Sequence, residues 1–400
     1  MKKPLWIIYT SHMFVEVYMY MQVALFPVLI REFQLNVLEV SLVATIPGLV
    51  QLLMNIPSGF LAERFNIRHL LFVSMFVEGF SALMVSQTSS FWMLVLGVSF
   101  IKVASPIYHI SGLSQLSRFA EPSKINKIMG FHNAFGNIGT AFGLVSLAAA
   151  FLFNLDWRWV YLFWAIPILI WGLIVLMFSK FKTETPIRVK TKSRGRLTGL
   201  SIVFSLEFFL FLLVIGIREI GNTGSSTFMT TYFVNVRELS ESTASLIFGL
   251  GPFVGILGSL TGGYLGERIG AKKALSWILI ISAILLFALS LMAQPYLLVI
   301  VYLLYSFFSN SAWSPLNVLA TELIPEANRG LGFSVYFLVE GMILSVAPTL
   351  AAGVIMFSDV WFVFPFSALF IIASLIVLRF LPQSRVFPNS PKGRSLREES

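Results

Sequence analysis

The chain has no cysteine in 400 residues, which excludes disulfides, thiol nucleophiles and thiolate metal sites. Charge is also scarce: 12% of residues are charged against 57% hydrophobic, and the mean hydropathy is +0.84. A soluble domain of this length needs far more polar surface. The four histidines are scattered and give no metal-ligand spacing. There is no Walker loop, no H-E-x-x-H, no G-x-S-x-G and no paired-Asp signature, so ATP-driven and hydrolytic chemistry lack their residues. The expectation is a non-enzyme with no catalytic residue, metal or cofactor.

What is present is apolar sequence in runs of about 20 residues, each long enough to cross a bilayer core of about 30 Å. Twelve such runs fall at 5–30, 38–61, 70–88, 91–116, 128–151, 158–179, 199–233, 242–265, 272–293, 296–321, 331–357 and 359–380. The chain therefore reads as an all-α, polytopic membrane protein with the bilayer as its surroundings. The first run carries His12 and Glu16 and lacks a small-residue cleavage site, so it reads as a retained span and not a signal peptide. The net charge of +9 fits the same topology. Of 28 Lys and Arg, only Arg31, Arg158 and Arg237 fall in odd-numbered connections, and Lys102 and Arg218 lie inside spans. The rest occupy the N-terminus, the even-numbered connections and the tail. By the positive-inside rule both termini are cytoplasmic at the plasma membrane, and the basic charge reports topology, not a nucleic-acid partner.

The longest polar connection, "SKFKTETPIRVKTKSRGRL", has seven basic residues and one Glu from Lys180 to Arg196. It divides the chain into an N-terminal six-helix bundle (1–180), a basic linker (181–198), a C-terminal six-helix bundle (199–380) and a cytoplasmic tail (381–400). The halves repeat each other. A shift of 204 residues aligns "QLNVLEVSLVATIPG" (34–48) with "ELSESTASLIFGLGP" (238–252) without a gap. The same shift lays Gly59, Glu63 and Arg64 on Gly263, Glu267 and Arg268, and Arg68 on Lys272. These charged turns follow the second span of each half. Glycine there permits a tight turn and close helix approach, and the carboxylates can latch the halves at a cytoplasmic gate. Each half alone leaves an interface uncovered, so one complete chain, a monomer, is the expected unit.

These two loops resemble the G-x-L-a-D-R-x-G-R-[KR] signature of the major facilitator superfamily, with Glu63 and Glu267 where the family usually has Asp and Asn66 in place of the second glycine. The resemblance covers essentially the whole chain. It implies two pseudo-symmetric six-helix bundles and transport by alternating access. A finer resemblance lies in "SPIYHISGLSQLSR" (105–118) and "MGFHNAFGNIGTAFG" (129–143), which are similar to the fourth and fifth spans of fosmidomycin-resistance-type exporters. That likeness implies proton-coupled efflux of a small organic molecule. The fifth-span antiporter signature usually ends in Gly-Pro, where this chain has Gly143-Leu144.

Seven charged residues lie inside spans, away from the span ends: Glu16, Glu78, Lys102, Glu207, Arg218, Glu219 and Glu340. Each costs about 2.5–3.5 kcal/mol at the bilayer centre, so each should face a cavity or a partner. His12, Glu16 and Tyr20 are spaced by four and predict one polar stripe. Glu16, Glu219 and Glu340 are the candidate proton-coupling groups. His12, Tyr20, Lys102, His109, His132, Asn137, Arg218, Asn310 and Trp313 are the candidate substrate contacts. The alternative for the histidines is a satisfied core imidazole, and for Glu78 and Glu207 a structural role, with Glu78 expected in a pair. "GNTGSSTF" (221–228) predicts a bent or partly unwound seventh span. Gly136, Gly139 and Gly143 predict close helix packing.

Secondary active transport of a small molecule, with protons as the coupling partner, is the leading expectation. Efflux by antiport stands first and import of a metabolite second. A receptor or scaffold on the transporter fold and an intramembrane enzyme are the readings from other classes.

Overall fold

The computed structural model describes residues 3–119, 125–178, 205–324 and 329–382. The linker 181–198 and all but the first residues of the tail lie outside them, as do the side chains of Glu63 and Glu267. The described residues are mostly helical, joined by short turns, with no strand among them. The helices are α1 (Lys3–Glu16), α2 (Met21–Ala24), α3 (Phe26–Phe33), α4 (Val37–Arg64), α5 (Ile67–Ser86), α6 (Phe91–Phe119), α7 (Ile125–Leu152) and α8 (Arg158–Phe178). They continue with α9 (Leu206–Thr227), α10 (Met229–Asn235), α11 (Glu241–Ile269), α12 (Ala271–Leu291), α13 (Pro295–Ser311), α14 (Trp313–Leu323), α15 (Arg329–Met356) and α16 (Val363–Arg379). Ten are long and apolar enough to cross a membrane, or eleven segments if the bent α1–α3 run counts as one span. The expected seventh span, α9 with α10, is not among them. Its helices are present and carry Glu207, Arg218 and Glu219, so the twelve-span expectation is consistent with the fold.

The chain forms two compact units. The first comprises the described residues of Met1–Arg188, Thr227–Phe253 and Pro348–Met356, and the second those of Val189–Ser226, Val254–Ala347 and Phe357–Ser400. In the first, α5 packs on α6 and α8, α4 on α6, and α1 on α7. In the second, α12 packs on α13 and α16. Large apolar side chains point outward from both units, among them Leu53, Phe80, Phe163, Leu260 and Phe287. That pattern suits lipid, where an outward Phe costs nothing.

The repeat read from the sequence recurs in the backbone. Gln34 and Glu238, 204 residues apart, both take a left-handed φ, 53° and 55°, just before a capped helix. Asn36 then closes a capping box with Glu39, and Ser240 accepts from the Thr243 amide at 3.2 Å. The charged turns solve the same problem in two ways. Gly270 holds φ 85° to start α12, a conformation a side chain resists. Asn66, the residue that replaces the expected glycine, keeps φ −66° and caps α5 by accepting from the Arg68 amide at 2.9 Å. A Cβ at Gly59 would meet open space, so the close helix approach expected there is not made; at Gly263 it would meet Ser314 Oγ at 3.1 Å. Arg64 and Arg268 are exposed, the latter over the Tyr264 ring. Lys272 donates to the carbonyls of Arg379 and Leu381, so its ammonium caps the negative end of α16.

The three basic residues of the odd-numbered connections are all engaged. Arg31 pairs with Glu241, Arg158 with Glu32 and Asp156, and Arg237 donates to Tyr232 Oη at 2.6 Å.

The glycines of α7 confirm close packing. A Cβ on Gly139 would strike the Met13 carbonyl, one on Gly143 the Val17 carbonyl, and one on Gly136 the His12 ring. Backbone cannot yield as a side-chain tip can. Gly139→Ala is therefore expected to lower stability by about 1–3 kcal/mol, the usual range for overpacking. Thermal unfolding in detergent, with Gly59→Ala as the unaffected control, measures it.

Candidate functional site

The first span is broken where its charge lies. α1 ends at Glu16, and Val17 and Met19 bond back to Phe14 and Glu16 in tightened turns. A second bend of 55° separates Leu5–Ala24 from α3. No Pro or Gly lies in Val17–Tyr20. Instead the Lys102 ammonium, brought by α6, donates to the Met19 carbonyl at 3.3 Å and approaches Met19 Sδ at 3.2 Å. A cation inserted at a carbonyl released from the helix ladder accounts for such a break, and it suits the negative end of α1. The break also corrects the expected stripe. His12 and Glu16 stay together, Nε2 to Oε1 3.4 Å, whereas Tyr20 lies beyond the last turn, exposed, with its ring edge-on to Phe248.

Scattered in sequence, three of the four histidines meet in this unit because α1, α6 and α7 pack together. His109 on α6 places Nε2 3.0 Å from Glu16 Oε1 and 3.2 Å from His12 Nε2. His132 on α7 stacks on His12, ring centroids 3.8 Å apart, and offers its backbone carbonyl to His12 Nδ1 at 2.7 Å. Gly136 gives the room for that imidazole. Tyr108, which the sequence reading did not select as a site residue, lies behind them: its hydroxyl donates to the Ile8 carbonyl at 2.7 Å and sits 3.2 Å from His132 Nε2. Asn137 is half-buried one turn further on. Glu78, expected in a structural pair, has no hydrogen-bond partner for either buried carboxyl oxygen. The physical reason is that Lys102, the basic group whose charge reaches it, spends its ammonium on Met19.

The second unit holds a separate charged group. Arg218 and Glu219 on α9 are nearly fully buried and pair with each other, and Arg218 Nη2 also donates to the Ser309 carbonyl at 2.9 Å. Adjacent residues point about 100° apart on a helix, and the long guanidinium stem bridges that angle. Asn222, one turn on, donates to Glu219 at 3.4 Å and accepts from Tyr305 at 2.9 Å and Ser309 at 2.7 Å. Those three residues were missed; the i, i+3 relation of Asn222 to Glu219 was the available signal. The guanidinium also lies 5.4 Å over the Trp313 ring, a cation–π contact. Asn310 instead serves packing: its amide donates to Ser306 at 2.8 Å, and the side chain fills the space left by Gly255. Glu340 on α15 is buried within the electrostatic reach of Arg218 and Glu219. Glu207 is exposed at the start of α9. The helix through 221–227 is continuous, and the expected break comes at Phe228, between α9 and α10.

Removing one member of the Arg218–Glu219 pair strands the other charge away from water. Arg218→Gln alone is expected to cost about 3–5 kcal/mol, and Arg218→Gln/Glu219→Gln together far less. A double-mutant cycle on unfolding midpoints in detergent tests this, and equal losses in single and double variants would contradict it.

Comparison with known proteins places this geometry. The family model described as Major Facilitator Superfamily matches residues 8–262 and again 220–399. The "Nitrite extrusion protein" of Bacillus subtilis is 24% identical over 60% of this chain and 59% of its own length. The "Probable nitrate/nitrite antiporter NarK1" of Thermus thermophilus is 25% identical over 62% of this chain and 57% of its own. The matched region thus spans less than two thirds of either relative. Among solved structures, the nucleoside transporter NupG superposes with a TM-score of 0.76 at 14% identity, over 94% of this chain and 99% of that one, which shows the shared fold. Matched by the family model across both halves, the chain is a multi-pass membrane protein that belongs to the major facilitator superfamily of transporters.

Proposed function

We propose that the chain is a proton-coupled antiporter of the plasma membrane that exports a small organic molecule by alternating access of two six-helix bundles, with both termini cytoplasmic. The observation that carries the proposal is a surplus of acid in the second unit. Arg218 neutralises Glu219 there, and Glu340, within whose electrostatic reach Tyr336 also lies, has no cation of its own among the described residues. A buried carboxylate is too costly to leave bare. It takes either a proton or a cationic or hydrogen-bond-donating group of the substrate, and the two exclude each other. Mutual exclusion at one carboxyl is what an antiporter requires. The names of two relatives, a nitrite extrusion protein and a nitrate/nitrite antiporter, support export and exchange.

One observation favours a second reading. An anion that takes Arg218 displaces Glu219, and a displaced buried carboxyl then takes up a proton. Anion and proton would load together, which is symport, and an inward proton gradient would drive import. The nitrate and nitrite named in the relatives are anions of a size to do this.

Proteoliposomes with a pH-sensitive dye inside separate the readings. Nitrate, nitrite, an alkyl phosphonate and organic amines are trapped inside or added outside. In antiport, proton and substrate movements are opposed, and Glu340→Gln removes the proton movement while folding is kept. Parallel movement lost in Arg218→Gln/Glu219→Gln establishes symport. Solute flux in Glu340→Gln with undiminished opposed proton movement overturns the assignment of Glu340.

A further inference from the structure

The His12–Glu16–His109 group has a property that neither a core contact nor a simple ion pair explains. His12 Nδ1 lies 2.7 Å from the His132 carbonyl, and His109 Nδ1 lies 2.9 Å from the Ser105 carbonyl. A carbonyl oxygen only accepts, and the Ser105 hydroxyl, 3.2 Å from His109 Nδ1 and further away than the carbonyl, accepts as well, so both Nδ1 atoms carry the proton. In neutral imidazoles both Nε2 atoms then present bare lone pairs. Those lone pairs converge on each other at 3.2 Å and on Glu16 Oε1 at 3.4 Å and 3.0 Å. Three electron-rich atoms at these distances repel unless a cation lies among them.

One proton on His109 Nε2 is shared between Glu16 at 3.0 Å and His12 at 3.2 Å, and it leaves the lone pairs of His12 and Glu16 facing each other at 3.4 Å. Two protons set two cationic rings in contact. A single metal ion satisfies all three atoms at once, and the dimensions suit it. Tetrahedral coordination with bonds of about 2.0–2.1 Å puts ligand atoms about 3.3–3.4 Å apart. The three donor atoms all lie within 4.8 Å of one another.

We propose that His12, Glu16 and His109 form a binding site for a divalent transition-metal ion of the zinc class. Two imidazoles and one carboxylate are a borderline set that suits zinc, cobalt, nickel or copper, and not magnesium or calcium, which prefer all-oxygen shells. The backbone carbonyls of Ser105 and His132 are the outer partners that hold each ring's tautomer and aim, as metal-bound histidines require. Gly136 and the stacked His132 ring keep His12 in place. The ion joins the end of α1, just before its break, to α6. His109 is 31% exposed in its side chain, so a fourth position remains for water or an anionic group of a ligand. The proposal runs against the expectation, drawn from histidine spacing along the chain, that no metal is bound. It is independent of Glu340 and of the transport direction.

The test uses the full chain, free of any tag, purified in detergent and stripped with a chelator. Titration calorimetry with Zn2+ is expected to give one ion per chain, with Mg2+ giving none. His109→Gln and Glu16→Gln should each weaken Zn2+ binding roughly 100-fold or more, since loss of an outer partner alone costs 10–100-fold. His69→Gln, on an exposed histidine, and Glu340→Gln should leave it unchanged. X-ray absorption of the zinc-loaded wild type supplies a reading that needs no variant: two imidazole ligands are expected. No stoichiometric Zn2+ binding, affinity unchanged in His109→Gln and Glu16→Gln, or fewer than two imidazoles on the metal would each overturn the proposal.

Discussion

A charge inside a membrane-spanning helix has no water to meet it, so the protein must supply the opposing group. Much of the described interior follows from that constraint. Lys102 meets it with a backbone carbonyl, and the first span opens at Met19 to provide one. Arg218 meets it with Glu219 and the Ser309 carbonyl. Glu16 stands against two imidazoles from different helices, where the proposed ion would meet all three. Each solution fixes one helix against another, and in the proposed mechanism each leaves a group whose partner is exchanged.

The exchangeable partners give the two units different chemistry. In the first, the donors are nitrogen lone pairs and a carboxylate, a set that collects cations. In the second, a guanidinium next to an aromatic ring and a hydroxyl-amide network can receive an anion, while Glu340 stands in excess of acid. The glycines of α7 and α11 serve both units in the same way. They let helices approach until a side chain, His12 or Asn310, occupies the space of a missing Cβ.

Fold and repeat were legible in the sequence because they rest on local properties: apolar length, charge placement and turn residues. The shared left-handed φ of Gln34 and Glu238 is the structural counterpart of an ungapped alignment. Charged site residues were legible one at a time, because each is conspicuous in an apolar span. Their partners were not. Helical periodicity extrapolated Glu16 to Tyr20 and had no means of knowing that Lys102, 83 positions away, meets a break between them. The meeting of His12, His109 and His132 depends on how three helices pack, and no spacing along the chain encodes it. Glu78 was assigned a partner for the same reason, before the one nearby cation proved to be spent elsewhere.

In the proposed mechanism an exchangeable proton on Glu340 links substrate to driving force. Infrared difference spectroscopy of the reconstituted chain reads that proton directly, through the carboxylic C=O stretch, as nitrite, a phosphonate or an amine is perfused. A substrate-dependent change in that band is expected, present in the wild type and absent in Glu340→Gln. A transported solute that leaves every carboxylic band unchanged would contradict it.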